Sequence, residues 1–171
     1  MNFKETNFRD LFLVEYFSMI DDRGFFMKPY VKFEIENFFG DNRETYFSSS
    51  EKGTLRGLHY QEGTSAQGKF IVCLKGSIED FATDLRKDSE TYGKTFRTTI
   101  KPGMNAVIVP PGFAHGIYAN DDSIIVNFCS QDYDPTSEKG ILWSSISELK
   151  GLNVKSISDK DKDLPTLEEV L

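Results

Sequence analysis

The sequence predicts an all-β fold, a jelly-roll β-barrel with a few short helices, on three observations. Short apolar and aromatic runs recur along most of the chain. Gly and Pro corners, such as Pro102-Gly103 and Pro110-Pro111-Gly112, separate them. Fifteen Phe and seven Tyr supply ring-bearing side chains that half-buried strands favour. Short strands broken in this way indicate a sandwich or barrel and not a βαβ sheet. At 171 residues the chain is expected to form one domain, 1–171, that buries a sizeable core without disulfides or metals.

The elements follow in order. Leu11 to Met19 is apolar and aromatic and reads as a strand, ended by the turn Asp21-Asp22-Arg23-Gly24. Pro29 opens a short helix in which Tyr30, Phe33, Ile35 and Phe38 recur near helical spacing, and Gly40 stops it. From Thr45 onward strands and turns alternate. Lys69 to Leu74 is apolar on both faces, as expected of a strand packed between two layers. Lys75-Gly76-Ser77 turns it into Ile78 to Leu85, and further strands cover Thr95 to Ile100, Ala106 to Val109 and Ser123 to Cys129. His115 falls in a Gly-bounded loop after the Pro110-Pro111-Gly112 corner. The tail from Leu164 to Leu171, with Pro165 near its start, reads as a short terminal helix.

Charge and cysteine usage narrow the function. A net charge of −7 argues against a nucleic-acid backbone or an anionic membrane surface as partner, since both repel an acidic protein at long range. A small anionic ligand is compatible where a few Arg and Lys converge. The N-terminus lacks the apolar run of a signal peptide and no segment approaches transmembrane length, so a cytoplasmic location is expected. Cys73 and Cys129 lie in apolar strands and read as reduced core thiols.

The chain has only two histidines, and one lies in Leu55-Arg56-Gly57-Leu58-His59-Tyr60-Gln61, closely followed by Gln67-Gly68-Lys69. An imidazole near an ammonium suits proton removal next to a carbonyl, the ring taking the proton and the cation holding the enolate. On this segment alone, a strand histidine with a solvated lysine is the simpler reading.

Further segments change that balance: Asp22-Arg23-Gly24-Phe25-Phe26, Asp84-Leu85-Arg86, Pro110 to Gly116, Tyr133-Asp134-Pro135, Gly140-Ile141-Leu142-Trp143 and Ser158-Asp159-Lys160-Asp161. Together and in this order they resemble the dTDP-4-dehydrorhamnose 3,5-epimerase family, from about Leu11 to Pro165. The resemblance implies a cupin-type jelly roll that dimerises by exchanging N-terminal strands and needs no metal or cofactor. It implies a nucleoside-diphosphate 4-keto sugar as substrate, in the making of surface-polysaccharide sugars. The metal reading is independently weak, because the residue two beyond His59 is Gln61 and only His115 remains.

By resemblance, His59 is the base that removes the proton alpha to the ketone, Asp161 the carboxylate paired with it, and Lys69 the cation facing the enolate oxygen. On local sequence alone, Asp159 to Asp163 would be a solvated charge run. Arg23 and Arg56 match positions that bind the diphosphate or shape the sugar pocket, as forked guanidinium groups can. His115 matches a second pocket histidine. Trp143 reads as core packing.

The sequence departs from the family at the tyrosine that returns the proton from the other side of the sugar. Counting back six residues from Tyr133 gives Asn127, and an amide cannot act as that acid. Lys28 replaces an acidic residue and Glu44 a glutamine. These changes leave two enzymatic outcomes to distinguish: inversion at C3 alone, or inversion at both C3 and C5 with water or Tyr133 supplying the proton. A 3,4-ketoisomerase, which would move the carbonyl, and a binding module without catalysis are the remaining alternatives.

Overall fold

A computed structural model describes residues 1–171 and forms two facing antiparallel sheets. The strands are β1 (Asn2–Glu5), β2 (Phe12–Glu15), β3 (Phe17–Asp21), β4 (Gly24–Lys28), β5 (Glu44–Ser50), β6 (Leu55–Gln61) and β7 (Lys69–Lys75). They continue as β8 (Ile78–Asp84), β9 (Thr95–Ile100), β10 (Ala106–Val109), β11 (Phe113–Ala119), β12 (Ser123–Cys129) and β13 (Glu138–Gly140). Three helices, α1 (Lys32–Phe39), α2 (Asp159–Lys162) and α3 (Leu167–Val170), complete the set with a few 3₁₀ turns. One sheet has the order β1-β2-β10-β7-β12-β5, the other β13-β6-β11-β8-β9, and β3-β4 is a separate hairpin.

Strand alternation builds three packed layers. Ile71 and Cys73 of β7, with Ile125 of β12, face Ile78 and Ala82 of β8 and Phe113 and Ile117 of β11 between the sheets. The opposite face of β7, through Phe70 and Val72, packs on α1 through Ile35 and Phe39. The outer face of the second sheet, through Leu58, Phe81 and Ala114, is covered by Ile141, Ile146 and Leu149 with Trp143 against them. The strand with two apolar faces and the packing role of Trp143 are both as expected.

Four local expectations are corrected. Leu11 to Met19 is not one strand: it breaks at Tyr16, which is buried and accepts a hydrogen bond from Gly103 N–H at 3.1 Å, so β3 leaves the sheet. The buried face of α1 is Ile35 and Phe39, one helical turn apart, whereas Phe33 is 74% exposed. His115 lies on β11, not in a loop, with all seven residues of that strand paired to β8. The terminal helix is only α3, begun by a capping box between Thr166 and Glu169.

Candidate active site

The glycines around His115 explain both the misreading and the site. Gly57 (φ +106°) and Gly116 lie where β6 and β11 approach so closely that a Cβ would fall 2.7 Å from His115 O or Arg56 O respectively. This close approach pairs His59 with His115 across the two strands. His59 alternates with outward-facing Leu58 and so points between the sheets. There it lines a cleft of about 500 Å³ with Lys69, Arg56, His115, Asn127 and Asp161.

Asp161 reaches His59 because the C-terminal segment is tied back to β6. Leu55 N–H donates to Ser156 O at 2.9 Å, and the Ser158 hydroxyl caps α2 by accepting from Asp161 N–H at 3.1 Å. Asp161 is 3% exposed; its Oδ1 meets His59 Nε2 at 2.7 Å and its Oδ2 accepts from Gly57 N–H at 3.1 Å. Burial opposes its charge, but the bonds from His59, Gly57 and Ser158 outweigh it and hold the carboxyl below its ordinary pKa. An ionised carboxylate only accepts, so His59 Nε2 carries the proton and Nδ1 is the basic atom.

Lys69 opens β7 on the facing sheet, opposite Cys129 in register. Burial lowers its pKa, against the longer-range fields of the carboxylates Glu138, Asp80 and Glu44. No ion pair within the chain occupies the ammonium, which leaves it available to an oxyanion in the cleft. Burial pushes the Cys129 thiol up to about 11, so it stays neutral beside this cation.

The remaining expected residues divide into two groups. Arg56 lines the cleft, its Nε donating to Ser50 Oγ at 2.9 Å and its Nη2 to Ser49 O at 2.8 Å. His115 Nε2 meets buried Asp80 Oδ2 at 2.7 Å, and Asn127 is 2% exposed on the cleft wall. Glu44 and Tyr133 line an adjoining hollow of about 270 Å³ that His59 and Lys69 also border. Glu44 Oε2 accepts from Tyr133 N–H at 2.7 Å, and the Tyr133 hydroxyl donates to Glu138 at 2.7 Å.

Arg23 is not brought to this cleft. It sits at the tip of the β3-β4 hairpin with its side chain 84% exposed, paired with Asp21 at 2.6 Å. The sequence reading also missed three side chains: Asp80, which pairs with His115, Glu138, which bonds Tyr133 and Lys160, and Tyr46 on the cleft wall. Strand alternation could have shown that Asp80 faces inward with Ile78 and Ala82. The partners of Glu138 and Tyr46 depend on strand pairing that periodicity does not report.

A site with a carboxylate-paired imidazole on one wall and a free ammonium on the other can remove a proton alpha to a ketone and hold the enolate. No three His, Cys, Asp or Glu side chains converge as metal ligands would. No helix is long and apolar enough to cross a membrane.

Known proteins resemble the chain throughout. The family model for dTDP-4-dehydrorhamnose 3,5-epimerase matches residues 5–169. A dTDP-4-dehydrorhamnose 3,5-epimerase of Shigella flexneri is 36% identical over 172 residues, covering 94% of this chain and 93% of that one. A crystal structure of the enzyme of that name from Sulfolobus tokodaii superposes with a TM-score of 0.88 at 35% identity, covering 99% of this chain and 97% of that one. A 3,5-epimerase from Legionella pneumophila in complex with dTDP-4-keto-L-rhamnose gives 0.84 at 30% identity, covering 99% and 96%. With its cupin-type jelly roll and this agreement along nearly its whole length, the chain belongs to the dTDP-4-dehydrorhamnose 3,5-epimerase family.

Proposed function

We propose that this epimerase acts on a nucleoside-diphosphate 4-keto sugar, with His59 as base, Asp161 as its positioning partner and Lys69 as the enolate's cation. The observation that carries the reading is the placement of the His59–Asp161 pair and the Lys69 ammonium on opposite walls of one cleft. Nδ1 of His59 takes the C3 proton, the electron pair moves into a C3–C4 double bond, and Lys69 steadies the oxygen at C4. The imidazolium is stabilised by Asp161. Arg56 stands where a forked donor would meet phosphate oxygens at the cleft rim. The complex of the Legionella relative with a dTDP-linked keto sugar supports the substrate class.

Proton NMR in D2O with dTDP-4-keto-L-rhamnose and a GDP-linked 4-keto-6-deoxyhexose tests this. Loss of the C3–H signal, with the carbonyl still at C4, is expected. Loss of the C5–H signal together with an inverted C5 distinguishes double from single inversion, the question raised by Asn127. Tight binding with no exchange at either carbon would sink the catalytic reading.

The family member is further proposed to work as a homodimer that exchanges its N-terminal strands. The β3-β4 hairpin has no sheet behind it, and a lone two-stranded ribbon is marginal in water. Yet Phe17, Met19, Ile20, Phe25 and Phe26 are each 54–81% exposed on it, on both of its faces. Seated on a partner, the hairpin would bury these side chains and carry Arg23 towards the partner's cleft. Sedimentation equilibrium is expected at twice the 19.5 kDa chain mass, and Ile20→Asp is expected to shift it towards monomer. A wild-type protein that sediments as monomer at micromolar concentration refutes the exchange.

A further inference from the structure

The reaction needs a second proton carrier. Inversion requires that the proton return from the face opposite His59, and Asn127 cannot donate it. Tyr133 is poorly suited, because its hydroxyl already donates to Glu138 and it borders only the smaller hollow.

Of the two other phenols near the reacting groups, Tyr60 borders only the smaller hollow and packs with Leu58 on the outer face of its sheet, which leaves Tyr46. Tyr46 on β5 is the direct cross-strand partner of Asn127, so the two side chains project from the same face of the sheet, next to each other. Both belong to the sheet that carries Lys69, and that sheet faces the one that carries His59. Tyr46 lines the cleft and the adjoining hollow together with His59 and Lys69. Burial against the wall raises its pKa, with Cys129, Glu44 and Glu138 acting in the same direction and the Arg56 guanidinium opposing them. The phenol is therefore protonated at neutral pH and free to donate.

We propose that Tyr46 delivers the proton to the enolate carbon from the side opposite His59, the role that Asn127 cannot fill. This rests on the epimerase reading given above. The Tyr46 O–H bond breaks as the new C–H bond forms, and the enolate pair collapses to restore the C4 carbonyl. This leaves a Tyr46 phenolate and a His59 imidazolium. Solvent resets both, since Tyr46 is 39% exposed and the His59 side chain 26% exposed. The cross-strand register makes a further statement: a phenol at position 127 would stand beside the one removed at 46.

The experiment follows dTDP- and GDP-linked 4-keto-6-deoxyhexoses in D2O, scoring exchange and inversion separately. Tyr46→Phe is expected to slow inversion by about 10²–10⁴-fold, while His59 still washes deuterium into C3 with retained configuration. Tyr46→Phe/Asn127→Tyr is expected to regain inversion at least ten-fold over Tyr46→Phe. Inversion by Tyr46→Phe within about three-fold of wild type overturns the donor. So does loss of both exchange and inversion that Asn127→Tyr does not restore. A wild-type protein that exchanges no deuterium with these sugars overturns the reaction and the donor together. An active wild type with an unaffected Tyr46→Phe overturns the donor alone.

Discussion

Replacing His59 by Asn is expected to lower kcat by about 10²–10⁴-fold, the contribution of a positioned general base, and to leave KM nearly unchanged. The split follows from the geometry. Asn keeps a donor facing Asp161 Oδ1, now bonded to His59 Nε2 at 2.7 Å, so the wall of the cleft stays in place while the basic Nδ1 is lost. Wash-in of deuterium at C3 should fall in step with turnover, because both begin with the proton that His59 Nδ1 removes. Near-normal exchange by His59→Asn would reject the assignment.

A stability effect accompanies the catalytic one, and its sign is set by Asp161. Its pKa in the folded protein is depressed, with His59 the largest of the causes that outweigh burial. The unfolded chain therefore binds more protons than the folded one across that window. The stabilisation is present above the unfolded carboxylate pKa and lost as pH falls through the folded value. In His59→Asn the depression is smaller, so thermal melts of variant and wild type should differ most near neutrality and converge in acid.

The boundaries of β9, β10 and β12 were legible because β10 and β12 are apolar runs and β9 is rich in β-branched Thr and Ile, each closed by glycine, proline or polar turn residues. The strand β11 was not, since Gly112 and Gly116 imitate a loop when the backbone of β6 that excludes a side chain at Gly116 is unseen. In α1, Phe33 and Phe38 met the expected spacing as well as Ile35 did, but docking on Phe70 and Val72 selected Ile35 and Phe39. The site was legible only through the resemblance. No periodicity distinguishes Asp161, which is buried, from exposed Asp159 and Asp163 in the same charge run. Tyr46 was beyond reach, because its meaning depends on β5 lying next to β12, a pairing between segments far apart in the chain.

Lys69→Met is expected to lose about 10²–10³-fold in kcat, the effect of removing one oxyanion partner, and yet to melt at a higher temperature than wild type. The two effects share a cause. Burial lowers the Lys69 pKa below the ordinary 10.5, so the folded protein carries its ammonium at a cost that the unfolded chain does not bear. Between the folded pKa and 10.5 the unfolded state holds more protons, and stability rises with pH across that window as the folded lysine discharges. The advantage of Lys69→Met should therefore be largest below the folded pKa and shrink as pH rises through it. Activity runs the other way: the alkaline limb of kcat should fall below the ordinary lysine range, because the neutral amine no longer holds the oxyanion. Lys69→Arg provides the control, since a guanidinium stays charged throughout and should flatten that limb even where its geometry costs rate. Melting curves and kcat profiles of the three proteins against pH make the comparison. A Lys69→Met protein that is both fully active and no more stable would show that the ammonium neither meets the enolate nor is held in the cleft at a cost.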